Sequence, residues 1–187
     1  MNDKQLHIVC LEIPWPVDYG GVVDLFYKIK ALHKQDVKIH LHCFTQNRSP
    51  QSELEKYCET VTYYPRKKNI SSFSLRLPLL VKSRINKELI ANLQKDNHPI
   101  LLEGIHCTYY LIKGLLKNRK VIVRLHNTEF EYYRQLAKNE TGLFKKLYYL
   151  HESRLLKKYE KGIASKATIL AVSKQDVSLY QQKFNAT

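Results

Sequence analysis

The run Arg124-Leu125-His126-Asn127-Thr128-Glu129 places a guanidinium, an imidazole, a carboxamide and a carboxylate within six residues. Such groups can hold a phosphate or hydrogen-bond the hydroxyls of a sugar. Helix capping by Asn127 or Thr128, with Glu129 opposing the dipole, would account for part of the run. It leaves Arg124 and His126 unexplained. A second candidate is Asp18-Tyr19-Gly20-Gly21. Two glycines let a ligand approach the backbone closely, and a helix starting there offers unpaired N–H groups to an anion. The pattern matches neither GxGxxG nor a Walker loop, so no dinucleotide or NTP fingerprint is present, and a plain βα turn is the alternative. In Glu103-Gly104-Ile105-His106 the Glu and His can orient a polar ligand, the alternative being a turn relieved by its glycine.

Charge narrows the partners. The 187 residues carry 31 Lys and Arg against 17 Asp and Glu, a formal charge of +14, which implies an anionic partner. Arg66, Lys67, Lys68, Phe73 and Arg76 lie in a stretch that mixes basic and apolar side chains, as at an anionic membrane surface. The competing reading is a solvated loop that packs Phe73 and Leu77 on the core. Arg154, Lys157, Lys158 and Lys161 form one basic helical stripe, the pattern of a solvated face. No helix-turn-helix, RNP or zinc-finger signature accompanies the charge, so nucleic acid is not the expected partner. Neither GxSxG nor HExxH occurs. Cys10, Cys43, Cys58 and Cys107 form no CxxC pair and lack zinc-site spacing. Cys10 and Cys43 read as buried free thiols of a reducing cytoplasm. No signal peptide is legible, and no apolar run nears the roughly 20 residues that span a bilayer. The expected location is the cytoplasm, with peripheral contact at the inner membrane face.

Hydrophobic periodicity shows what must position these groups. Strands are expected at Leu6–Ile13, Val37–Phe44, Val61–Tyr64, Pro99–Glu103, Lys120–Leu125 and Ala167–Val172. Helices are expected at Gly21–His33, Ile85–Lys95, Thr108–Leu116, Glu129–Lys138, Leu143–Ile163 and from a Ser173 cap to Phe184. Alternating β and α, with no internal repeat, predicts one α/β domain over residues 1–187: a Rossmann-like, doubly wound, mostly parallel sheet. All three polar runs then fall at carboxyl ends of strands, where open α/β sheets bind ligands.

Several blocks in this order resemble the N-terminal domain of GT-B fold, family 4-like retaining glycosyltransferases of the Bacteroidetes type. They are Ile13-Pro14-Trp15-Pro16 through Gly20-Gly21, Pro99 to His106, Arg124 to Glu129 with Tyr132-Tyr133, and Ala171-Val172-Ser173. The resemblance implies two Rossmann-like domains facing across a cleft, of which this chain is the acceptor-side one. It implies transfer from a nucleotide-sugar donor to a glycan or lipid-linked acceptor, with neither metal nor cofactor. Gly20 and Gly21 would approach the donor diphosphate. His126 would contact the donor sugar as the catalytic, orienting group. Asp18, Tyr19, Glu103, His106, Arg124 and Asn127 would line the acceptor side. The nucleotide-sugar domain with its E-x7-E motif has no match here, so the chain alone is expected to be inactive. The alternative is a non-catalytic basic α/β module that binds an anionic ligand or nucleic acid.

Overall fold

A computed structural model describes residues 4–67 and 74–184. Its six strands are β1 (Lys4–Cys10), β2 (Val37–Thr45), β3 (Thr60–Pro65), β4 (Ile100–Glu103), β5 (Val121–Leu125) and β6 (Thr168–Ala171). They form one sheet in the order β3-β2-β1-β4-β5-β6, and every neighbouring pair is parallel. The expected α/β class, a Rossmann-like doubly wound sheet, is the fold observed. Strand order reverses between β1 and β4, so their carboxyl ends flank the crevice where such sheets take ligands.

Burial on both faces explains the continuous apolar strands. On one face Ile8, Cys10, Ile39, Leu41 and Leu101 pack under α1 (Gly20–His33) through Leu25, Phe26 and Ile29. On the other, Val9, Phe44, Leu102 and Val123 meet Leu156, Tyr159 and Ile163 of α6 (Leu143–Ala164). Cys10, Cys43 and Cys107 are buried free thiols and Cys58 is partly buried.

Capping and glycine geometry move several expected boundaries. β1 stops at Cys10, and the residues to Tyr19 form a loop. The helix expected at Ile85–Lys95 is the shorter α3 (Lys87–Leu93). The Asn86 side chain accepts from the N–H groups of Glu88 (2.8 Å) and Leu89 (3.3 Å), which sets its start. The helix expected at Thr108–Leu116 is only the brief α4 (Tyr109–Ile112), which follows a 3-10 turn at Ile105–Cys107, and Gly114 at φ +71° turns the chain out of it. A 3-10 turn at Ser52–Lys56 and the short α2 (Leu79–Lys82) were not expected.

Between β5 and β6 the chain makes a helical hairpin of α5 (Glu129–Asn139) and α6. Phe130 lies beside residues 153 and 160: Ser153 donates to its carbonyl (2.8 Å), and its N–H donates to Glu160 (3.1 Å). The Tyr133 and Tyr149 rings meet at 5.9 Å. The second half of α6 therefore covers the sheet, while its first half runs with α5 beyond the carboxyl edge. An α-helix of α6's length spans about 33 Å, roughly twice what a five-residue strand spans. The last helix, α7 (Lys174–Phe184), begins at Ser173, whose hydroxyl accepts from the Asp176 N–H at 3.0 Å. Among the described residues no helix is long and apolar enough to cross a membrane.

Candidate functional site

A cavity of about 520 Å³ opens at the carboxyl edge of β1, β4 and β5. The N-terminus of α1 forms one wall. Its N-cap residue, Tyr19, makes no side-chain capping bond, and its first turn holds no acidic residue. A Cβ added at Gly20 would meet nothing within 4 Å, so the surface there is open. The positive end of the helix is thus left uncompensated beside open space, as an anion site requires.

A second wall is built on Glu103, the last residue of β4, whose side chain is wholly buried. A buried carboxylate needs partners. Lys28 of α1 donates to one oxygen at 2.5 Å, and His126 Nε2 lies 3.0 Å from the other. Arg124 lies 3.6 Å from that second oxygen and pairs through both terminal nitrogens with Asp24, which Lys28 also approaches at 3.5 Å. Burial pushes the Glu103 carboxyl up, but its bond to His126 and the Lys28 charge outweigh this and hold it below its ordinary value. Glu103 therefore stays ionised, ties three elements together and fixes the His126 ring.

Deeper in the cavity, His106 has a buried Nδ1 with no hydrogen-bond partner among the described residues. Burial, then the nearby charges of Arg84, Arg66 and His126, hold its ring well below the ordinary histidine range, so it is neutral. Glu129 also lines the cavity, and burial raises its carboxyl to about 7. It is not the exposed dipole partner that capping alone would make it. Thr128 is the N-cap residue of α5, yet its hydroxyl donates to Asp176 (2.7 Å) and caps nothing.

The cavity brings together Tyr19, Gly20, Gly21, Glu103, His106, Arg124, His126 and Asn127 from separate sequence blocks. Asp18, expected on the acceptor side, lies outside it. Asp18 is exposed and paired with Arg48, which also donates to the Pro16 carbonyl at 2.6 Å and so tethers the loop. Among the residues expected at a membrane surface, Arg66 turns inward to the Ser83 hydroxyl (3.1 Å), whereas Lys67 and Arg76 are exposed. Lys68 and Phe73 fall outside the described residues. Sequence reasoning missed Glu12, Asp24 and Lys28. Asp24 and Lys28 carried a signal, an acid–base pair four residues apart one turn after Gly21. Glu12 follows β1 much as Glu103 ends β4, and burial raises its carboxyl. Among the described residues no group of three or more His, Cys, Asp or Glu is arranged to hold a metal ion.

No protein-family model matches the chain. It is 31% identical over 178 residues to a Klebsiella pneumoniae protein described as an uncharacterized 44.6 kDa protein in the cps region. The match covers 90% of this chain and 45% of that protein, so the chain spans about half the length of this relative.

Proposed function

We propose that the chain is the acceptor-side domain of a GT-B-type retaining glycosyltransferase. It would move a sugar from a nucleotide-sugar donor to a glycan or lipid-linked acceptor in capsule-type polysaccharide synthesis. One observation carries the reading. Buried Glu103 holds His126 in the cavity that the uncompensated N-terminus of α1 also lines. Glycosyl transfer releases a diphosphate while positive charge builds at the anomeric carbon. The Gly20-Gly21 end of α1 suits the departing phosphate. His126 Nε2 is committed to Glu103, which leaves Nδ1 to meet the sugar. Front-face retention needs no protein nucleophile, so His126 orients and stabilises. Glu12, His106 and Glu129 supply polar groups for an acceptor hydroxyl. The cps-region setting of the relative supports a polysaccharide product.

The test is a transfer and hydrolysis assay on the protein expressed from its whole source reading frame, over a panel of nucleotide sugars. His126→Ala and Gly20→Asp are run alongside. The expected result is turnover of one donor, lost in His126→Ala, with donor binding lost in Gly20→Asp because its carboxylate occupies the phosphate position. If no nucleotide sugar binds or turns over, and anion affinity is instead diffuse and steeply salt-dependent, the non-catalytic module replaces this reading.

A further inference from the structure

Among the described residues, the end of the α5–α6 hairpin carries large apolar side chains that stay exposed. Leu143, Phe144 and Leu147 are 66%, 87% and 55% exposed, although the other end of the same helix is core. Phe144, Leu147 and His151 share one helix face. His151 Nε2 lies 3.5 Å from the Ser74 carbonyl, so that face leads on to Leu75, itself 73% exposed, and to exposed Arg76. Lys145 and Lys146, on the remaining faces of the same helical turn, and Lys138, in the last turn of α5, are exposed. The nearby acid, Glu140, is engaged locally, accepting from the Gly142 N–H at 2.9 Å.

We propose that this hairpin tip, with exposed Leu143, Phe144 and Leu147 and the exposed lysines Lys138, Lys145 and Lys146, docks on an anionic lipid membrane. Apolar side chains beside lysines match both layers of such a surface: the rings and branched chains enter the acyl boundary while the ammonium groups meet lipid phosphates. Charge argues against a second copy of the chain as the occupant. A twofold interface sets a patch against itself and would bring lysine against lysine, on a chain already at +14. The hairpin projects past the carboxyl edge of the sheet, the edge at which the cavity opens. The proposal rests on the hairpin alone and stands whatever the cavity binds.

The test is flotation of the full chain with vesicles of phosphatidylglycerol and phosphatidylcholine in equal parts, with pure phosphatidylcholine for comparison. The expected result is binding to the anionic vesicles only. Affinity should fall about tenfold or more in Phe144→Ser with Leu147→Ser, from lost apolar burial. A similar loss is expected in Lys145→Glu with Lys146→Glu. The second pair keeps the proposal testable if the first disturbs folding, which thermal unfolding reads alongside. Lys158→Glu with Lys161→Glu makes the same charge change on the exposed lower stripe and should weaken binding far less. Absence of binding to anionic vesicles overturns the proposal. So does binding that the serine pair leaves intact, or an equal loss in the lower-stripe pair, which would make the attraction diffuse. A dimer that the serine pair dissociates, seen by light scattering, would assign the tip to self-association instead.

Discussion

At the scale of single residues, the site depends on one carboxylate that cannot reach water. Glu103→Ala leaves the Lys28 and His126 contacts without their acceptor, and removing one member of a buried charge network costs about 3–5 kcal/mol. Chemical denaturation should show that loss. The His126→Ala protein should show much less, because its ring is partly exposed at the cavity rim. Gly104 carries a second residue-scale constraint. It sits at φ +80°, and an added Cβ would lie 2.7 Å from His106 Nδ1. Gly104→Ala should therefore cost about 1–3 kcal/mol, a fall of several degrees in Tm, and displace His106. A Tm unchanged in Gly104→Ala would mean that the turn relaxes freely.

At the scale of elements, α6 holds its neighbours through buried acids. Glu152 accepts from the Leu79 N–H at the start of α2 (2.8 Å), and Glu160 accepts from the Phe130 N–H at the start of α5. Burial raises the Glu160 carboxyl to about 8, so at neutral pH it is largely protonated and acts as a neutral cap. Its folded-state pKa lies above the unfolded value. Its contribution is therefore present below pH 4.5 and is lost as pH rises through about 8. Glu160→Gln keeps an acceptor and removes the titration. The variant should lose less stability than wild type between pH 6 and pH 9, as urea midpoints would show. Equal slopes for the two proteins would place the alkaline loss elsewhere. The basic stripe of α6 is legible as the solvated face opposite these acids, since Arg154, Lys157, Lys158 and Lys161 are all exposed.

At the scale of the whole molecule, the amino-terminal half of the sheet carries a chain of histidines on the face away from α1. His7 Nδ1 meets His42 Nε2 at 2.9 Å, His7 Nε2 meets Asp96 at 3.0 Å, and His42 Nδ1 meets the Tyr64 hydroxyl at 2.8 Å. His40 and His98 stack nearby. Burial lowers His7 and, with the His7 and His40 rings adding to it, holds His42 at about 3. Both folded-state pKa values lie below the unfolded 6.5. Their contribution is thus complete above 6.5 and is lost as pH falls from there toward about 3. Acid should therefore destabilise the protein well above the carboxylate range. His42→Gln should flatten the slope of stability between pH 6 and pH 4. A slope unchanged in that variant would exclude the histidine chain as its source.

The sequence by itself determined the fold class and the edge at which chemistry collects. Ile8-Val9-Cys10 and Val121-Ile122-Val123 are apolar on both faces, which only a covered parallel strand tolerates, and alternation with helices leaves one architecture. Polar runs at strand ends then share an edge by topology alone, and so Gly20, Gly21, Glu103, Arg124 and His126 could be grouped beforehand. Local sequence did not reveal direction or pairing. Whether Asp18 faces the cavity or Arg48 depends on where the chain after β2 passes, 30 residues later. That Lys28 answers Glu103 across 75 residues, and that Thr128 serves Asp176 instead of its own helix, are decided by packing between distant elements. Burial decides ionisation too: Glu103 stays charged while Glu160 does not, because only Glu103 finds cations in the low-dielectric interior.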